Sequence, residues 1–157
     1  MGRMYSVVFD NVAVTAGQDL FEITPADDKP VLFHGCWLGQ SSDAGDAQDE
    51  LLRVAIIRGH TTGGSGGTAV TAPPLQSSAG AGFGGAAKIN NTTIASAGTA
   101  VTLVADTFNV RAGWVYLPTP EARPGASQAN TTIVVRLMAA PADQLAMSGT
   151  LIFEELG

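Results

Sequence analysis

Apolar residues return at every second position along most of this chain, in short runs broken by Gly, Pro, Asn and Asp. A period of two is that of a β-strand, whose successive side chains leave on opposite faces. Met4 to Phe9 alternates, slips at Asp10 and Asn11, and resumes at Val12 and Val14, which predicts a strand with a turn or bulge at the slip. Asp19 to Thr24 sets Leu20, Glu22 and Thr24 against Phe21 and Ile23 and reads as a half-exposed strand, closed by a turn at Pro25, Asp27, Asp28 and Pro30. Val31 to Gly39 is apolar on both faces, with Phe33 and Trp37 on one and Leu32, His34, Cys36 and Leu38 on the other. Such a strand is covered on both sides and central to its sheet.

The stretch Gln40 to Gly67 joins an acidic loop, an apolar segment and a glycine-rich loop. From Leu51 to Ile57 the β-branched Val54, Ile56 and Ile57 favour a strand, with Leu52, Val54 and Ile56 on one face. A helix starting at Asp46, with Glu50 in its first turn and Gly59 as its stop, is the competing reading. Further on, Thr99 to Val110 alternates, with Val101, Leu103 and Ala105 against Val104, Phe108 and Val110, as two short strands or one long bulged one. Trp114 to Leu117 follows Gly113, and the loop Pro118 to Gly125 follows that. Thr131 to Ala139 points Ile133, Val135 and Leu137 inward and Val134 and Arg136 outward, and Ser148 to Leu156 opposes Leu151 and Phe153 to Thr150, Ile152 and Glu154. About eight or nine such strands with no sustained helical period predict an all-β protein, a jelly-roll-like β-sandwich.

Gly59 to Gly85 breaks this pattern. It is dense in glycine, carries Pro73 and Pro74, and its sizeable apolar residues are Val70, Leu75 and Phe83. Ordering such a chain costs backbone entropy that few apolar groups offset, so an extended arm or mobile excursion is expected, free in solution and ordered only against a neighbouring subunit, with those three residues as partner contacts. Its glycines match neither G-x-x-x-x-G-K-[ST] nor G-x-G-x-x-G ahead of a helix, which argues against nucleotide binding. A length of 157 residues fits one domain, 1–157, with 59–85 as its glycine-rich extended loop.

Composition changes the picture at the surface. Charged residues are 14% of the chain, against about 25% in an average globular protein, so much of the surface is uncharged. With apolar residues on both faces of Val31 to Gly39, that leaves more hydrophobic strand surface than a monomer readily covers, and a symmetric oligomer, a homotrimer, is expected. The net charge is −6 and the eight Lys and Arg stand singly, so no basic patch exists to neutralise phosphates and nucleic acid is not an expected partner. No apolar run approaches the ~18 residues that span a bilayer, and no signal-like apolar region precedes Asp10; a soluble chain without a membrane partner is expected. Met1, Gly2 and Ser6 fit the short myristoylation pattern, but Tyr5, Val7 and Phe9 already alternate as a strand behind it.

The residues able to carry chemistry are few. His34 lies in an apolar strand and His60 at the mouth of the glycine-rich loop, and the cupin HxH pair is absent because Gly35 and Cys36 follow His34. Cys36, the single cysteine, reads as a small buried hydrophobe. Asp43, Asp46, Asp49 and Glu50 are the densest carboxylates; they could offer calcium oxygen ligands, but their spacing is not that of an EF-hand and a solvated acidic loop is the simpler reading. Ser41 and Ser42 stand in no nucleophile motif. Trp37, Trp114 and Tyr116 could form a sugar-stacking platform, although aromatics in strands belong first to cores. Sequons occur at Asn90, Asn91 and Asn130 and matter only in a glycosylating pathway. No catalytic residue, metal ligand or cofactor is expected.

Three blocks carry a resemblance: DLFEITPADDKPVLFHGCWLGQSSDAGDAQDELLRVAIIRG (Asp19 to Gly59), AGWVYLPTPEAR (Ala112 to Arg123) and PADQLAMSGTLIFEELG (Pro141 to Gly157). They resemble a group of small tailed-bacteriophage virion proteins. The resemblance implies a structural protein of the particle, a head decoration (cement) protein with a jelly-roll body that binds the major capsid protein on the outer surface of the head. A receptor- or glycan-binding tail or fibre module is the alternative, and no functional residue is carried over from the resemblance.

Overall fold

The computed structural model describes residues 2–42, 49–127 and 131–157, and within these the chain forms eleven strands and two single-turn 3-10 helices. The strands are β1 (Arg3–Val14), β2 (Gln18–Thr24), β3 (Val31–Gln40), β4 (Leu51–His60), β5 (Thr68–Val70), β6 (Ala86–Asn91), β7 (Val101–Asn109), β8 (Trp114–Tyr116), β9 (Gly125–Ala126), β10 (Thr132–Leu137) and β11 (Leu145–Glu155). They form two antiparallel sheets, one in the order β1-β11-β3-β8 with β9 also on β3, the other in the order β5-β6-β2-β10-β4-β7. The chain is therefore an all-β sandwich.

Alternation along each strand gives the sandwich its core. Tyr5, Val7 and Phe9 of β1, Met147, Leu151 and Phe153 of β11, and Phe33, Cys36 and Leu38 of β3 meet Phe21, Ile23, Val54, Ile56, Ile133, Val135 and Leu137 of the other sheet. The Phe9 and Phe21 rings lie 5.1 Å apart across the layers. Cys36 is buried here, and that burial raises its thiol pKa far above the ordinary value. The Leu51 segment is a strand with Leu52, Val54 and Ile56 in the core; Asp46, where the competing helix would start, lies outside the described residues.

Local irregularities sit where backbone chemistry allows them. The slip at Asp10–Asn11 is a bulge between Phe9 and Val12, with Asn11 at φ 51°, a conformation asparagine tolerates better than most residues. A second slip, invisible in the alternation, falls in β3: Ile152 pairs with Gly35 but Phe153 pairs with Phe33. His34 takes the extra position, so Phe33 and Trp37 lie on opposite faces rather than the same one. Gly59, at φ 103°, sits so close to the Thr99 carbonyl that a Cβ would collide with it.

The outer face of the six-stranded sheet is covered over β2 and β10, which corrects the half-exposed reading of Asp19 to Thr24 and the outward reading of Val134 and Arg136. Val134 packs with Ala55, Ile57 and Ala95, and Asp19, Glu22 and Arg136 are buried. Residues 61–67 and 92–98 form the cover. Asp19 accepts from Arg136 through Nε at 2.5 Å and Nη2 at 3.1 Å, and also from the Ala95 amide at 2.7 Å. Arg136 Nη2 donates in addition to the Ala95 carbonyl at 3.1 Å. Glu22 Oε2 accepts from the Gly64 amide at 2.7 Å and from Asn91 Nδ2 at 3.0 Å, while Lys88 Nζ reaches the Gly64 carbonyl at 2.9 Å. Buried charges of this kind persist only when paired and hydrogen-bonded.

The glycine-rich segment is therefore not a free arm. Ser65 and Thr93 exchange both backbone hydrogen bonds at 2.9 Å, β5 pairs with β6, and the chain then crosses to the other sheet. There Ser6 donates to the Pro73 carbonyl at 3.1 Å and Leu75 to the Met4 carbonyl at 2.9 Å, so the segment lies along the edge of β1. Phe83 packs on Tyr5 and Phe153 at ring distances of 5.5 and 4.9 Å. Its anchors are strand carboxylates and core aromatics from distant parts of the chain.

Candidate functional site

The outer face of the five-stranded sheet is left open, and register brings its side chains into rows. Val8, Thr150, Trp37 and Val115 are successive partners across β1, β11, β3 and β8. In the next row Ser6, Ile152 and Gly35 are partners. A Cβ on Gly35 would meet Leu117 Cδ2 and Trp37 Cη2, each at 2.9 Å, so the glycine lets the indole and the leucine settle over the strand. Val8, Val115 and Leu117 are exposed by 58%, 61% and 62%, three of the large apolar residues that the described surface leaves open. With Trp37 and Ile152 it forms an apolar band.

Polar groups rim the band on two sides. On one, Glu154 accepts from the Gly2 amide at 2.8 Å and sits 2.7 Å from His34 Nε2. Burial pushes the Glu154 carboxyl up, but the His34 and Gly2 hydrogen bonds and the electrostatic influence of His34 and Arg123 outweigh it and hold the group below its ordinary value. On the other side, Ser148 Oγ donates to Asp10 at 2.7 Å and accepts from the Asn11 amide at 3.0 Å, and Ser41 Oγ donates to Asn11 at 3.1 Å. A hydrophobic centre with a hydrogen-bonded polar rim is the anatomy of a protein docking surface. Beside Trp37, where Gly39 and Gly113 carry no side chains, the face dips into a notch of about 340 Å³ that Ser148 and Thr150 also line.

The other candidates are dispersed. Trp114 and Tyr116 stack on each other at 5.6 Å, and since Val115 between them shares the outer row with Trp37, they lie on the opposite face of the sheet. The three aromatics form no single platform. His60 contacts the Ala97 carbonyl at 3.3 Å, away from His34, and among the described residues no three His, Cys, Asp or Glu side chains converge on a metal position. Asp43 and Asp46 lie outside the described residues; Asp49 pairs with Arg111 at 2.6 Å and Glu50 accepts from the Ala142 amide at 2.8 Å. Asn90 and Asn91 are buried, Asn90 accepting from Gln18 at 2.9 Å, and Asn130 lies outside the described residues.

Of the three residues expected to contact a partner, Val70 and Phe83 pack against the chain's own core and Leu75 alone stays exposed, at 47%. The apolar band escaped sequence reading because the bulge at His34 reverses which face Trp37 occupies. Only the register across four strands brings Val8, Ile152 and Val115 beside it. Comparison of the chain with family models, with curated proteins and with solved structures returns no match.

Proposed function

We propose that this chain is a non-enzymatic virion structural protein, a decoration (cement) protein that docks on the major capsid protein at the outer surface of a phage head and stabilises the shell. The observation that carries the reading is the apolar, polar-rimmed band on the five-stranded sheet, an open face suited to lasting contact with another protein. Two further features support it. The two antiparallel sheets, containing the orders β1-β11-β3-β8 and β2-β10-β4-β7, are compatible with the jelly-roll part of this reading, an architecture that recurs in viral capsid domains. The three sequence blocks resemble tailed-phage virion proteins, and a net charge of −6 suits a surface turned away from packaged nucleic acid.

The test is reconstitution on heads that lack the protein. Wild-type chain should co-sediment with them and raise their resistance to heat, and Val115→Asp, placed at the band's exposed edge, should lose attachment while keeping its fold. Attachment of Val115→Asp at wild-type level would overturn the docking face, and a copy number in particles matching the tail rather than the head lattice would overturn the location. The reading includes a homotrimer; light scattering that gave a 16 kDa particle at micromolar concentration would remove that part.

The notch beside Trp37 favours a second reading, a receptor- or glycan-binding module of the tail or a fibre, because an indole flanked by hydroxyls can stack and hydrogen-bond a sugar ring. Glycan-array binding that disappears in Trp37→Ala would move the assignment there.

A further inference from the structure

The cations of this chain are not evenly partnered. Arg136, Lys88 and Arg111 face carboxylates at 2.5, 3.6 and 2.6 Å. Arg58 and Arg123 instead line one cleft of about 450 Å³, where β9 lies against the start of β3, and no Asp or Glu lines it with them. Arg58, an exposed residue, donates from Nη1 to the Gly125 carbonyl at 2.8 Å. The Nε atom of Arg123 is buried and has no hydrogen-bond partner. Among the described residues neither guanidinium has a carboxylate within ion-pair distance.

A guanidinium is a planar fork of donors matched to an oxyanion, and a buried N–H without an acceptor carries an unrelieved desolvation cost. The missing component of the cleft is thus an anionic acceptor, in a chain whose net charge is −6 and which has few cations to spend elsewhere. The rest of the lining narrows the choice. Pro30 and Leu32 supply apolar wall, Ser127 and Thr131 supply hydroxyls, and the volume exceeds what one small oxyanion fills. Two isolated arginines do not make a track for a nucleic-acid backbone.

We propose that this cleft binds a carboxylate-bearing peptide segment with an aliphatic neighbour, the carboxylate on the Arg58 and Arg123 guanidinium groups and the aliphatic group against Pro30 and Leu32. The site adjoins the Glu154 rim of the apolar band, since Leu32 pairs with Glu154 and the Arg123 charge acts on it, and it does not depend on the virion reading.

The test is an NMR titration of the full chain with two probes, a short capped peptide of alternating glutamate and leucine, and inorganic phosphate. The peptide should shift the amide resonances of Gly125, Ser127 and Thr131 saturably, with phosphate alone having little effect. Arg123→Gln should weaken peptide binding about tenfold or more, and Arg123→Lys should recover only part of it because an ammonium lacks the fork. Arg58→Gln, at an exposed position, serves as the second variant should Arg123→Gln fail to fold. Absence of shifts at millimolar peptide, undiminished binding in Arg58→Gln and Arg123→Gln, or equal occupancy by phosphate would each overturn the proposal.

Discussion

At the scale of single residues, the buried acids decide more than their number indicates. Asp19 holds Arg136 and the Ala95 amide at once, so Asp19→Asn leaves a buried guanidinium without its counter-charge. Loss of about 3 to 5 kcal/mol is expected, read from the denaturant midpoint, whereas replacing both partners by apolar residues should cost markedly less. Glu154 gives a pH-dependent counterpart. Its carboxyl is held below the ordinary 4.5, so the stability it contributes is complete above that value and is lost as pH falls through the lower, folded value. Glu154→Gln should therefore be less stable than wild type near neutrality and converge with it in acid; a gap that stayed constant down to pH 2 would show that the shift has no linkage to folding. None of these roles could be read from the sequence alone. In Asp19 to Thr24, charged positions alternating with apolar ones read as a solvent face, and the amides of Gly64 and Ala95 that cap them have no side-chain signature.

At the scale of elements, alternation located the long strands but not everything that joins them. The bulge at Asp10–Asn11 was legible because Asn11 tolerates a positive φ, and the strand from Leu51 because β-branched residues crowd a helix. The slip at His34 left no mark, since an apolar strand reads much the same in either phase. β5 and β6 were missed for a different reason: TAV and AAKINN are too short or too small in side chain to alternate, and their pairing follows from β2 lying alongside. The glycine-rich segment is the largest departure, because its anchors lie in β1, β2 and β11. Amide exchange in the free protein should accordingly show protection at Ser65, Thr93, Ser6 and Leu75, and rapid exchange there would restore the free-arm reading. Phe83→Ala should cost about 2 kcal/mol through lost aromatic packing, whereas Leu75→Ser should stay within about 0.5 kcal/mol.

At the scale of the whole molecule, both open sides of the sandwich are closed by unlike means. The glycine-rich segment spans one side, from β6 to the edge of β1, while on the other Trp114 Nε1 donates to Asp106 at 3.0 Å, linking β8 to β7. That leaves the sheet of β1 and β11 as the part whose assembly depends most on the chain as a whole. Arg3 pairs with Glu155 and Val14 with Leu145, so β1 has its main neighbour in β11, more than a hundred residues further along the chain. On the ribosome β1 must wait unpaired, with Tyr5, Val7 and Phe9 exposed, until β11 has cleared the exit tunnel. Folding should then be slow for a chain of this size, on the order of milliseconds to seconds, as expected where loop closure precedes most stabilising contacts. Nascent chains stalled before Leu145 emerges should be degraded by added protease as if unfolded, and the released protein should resist the same treatment.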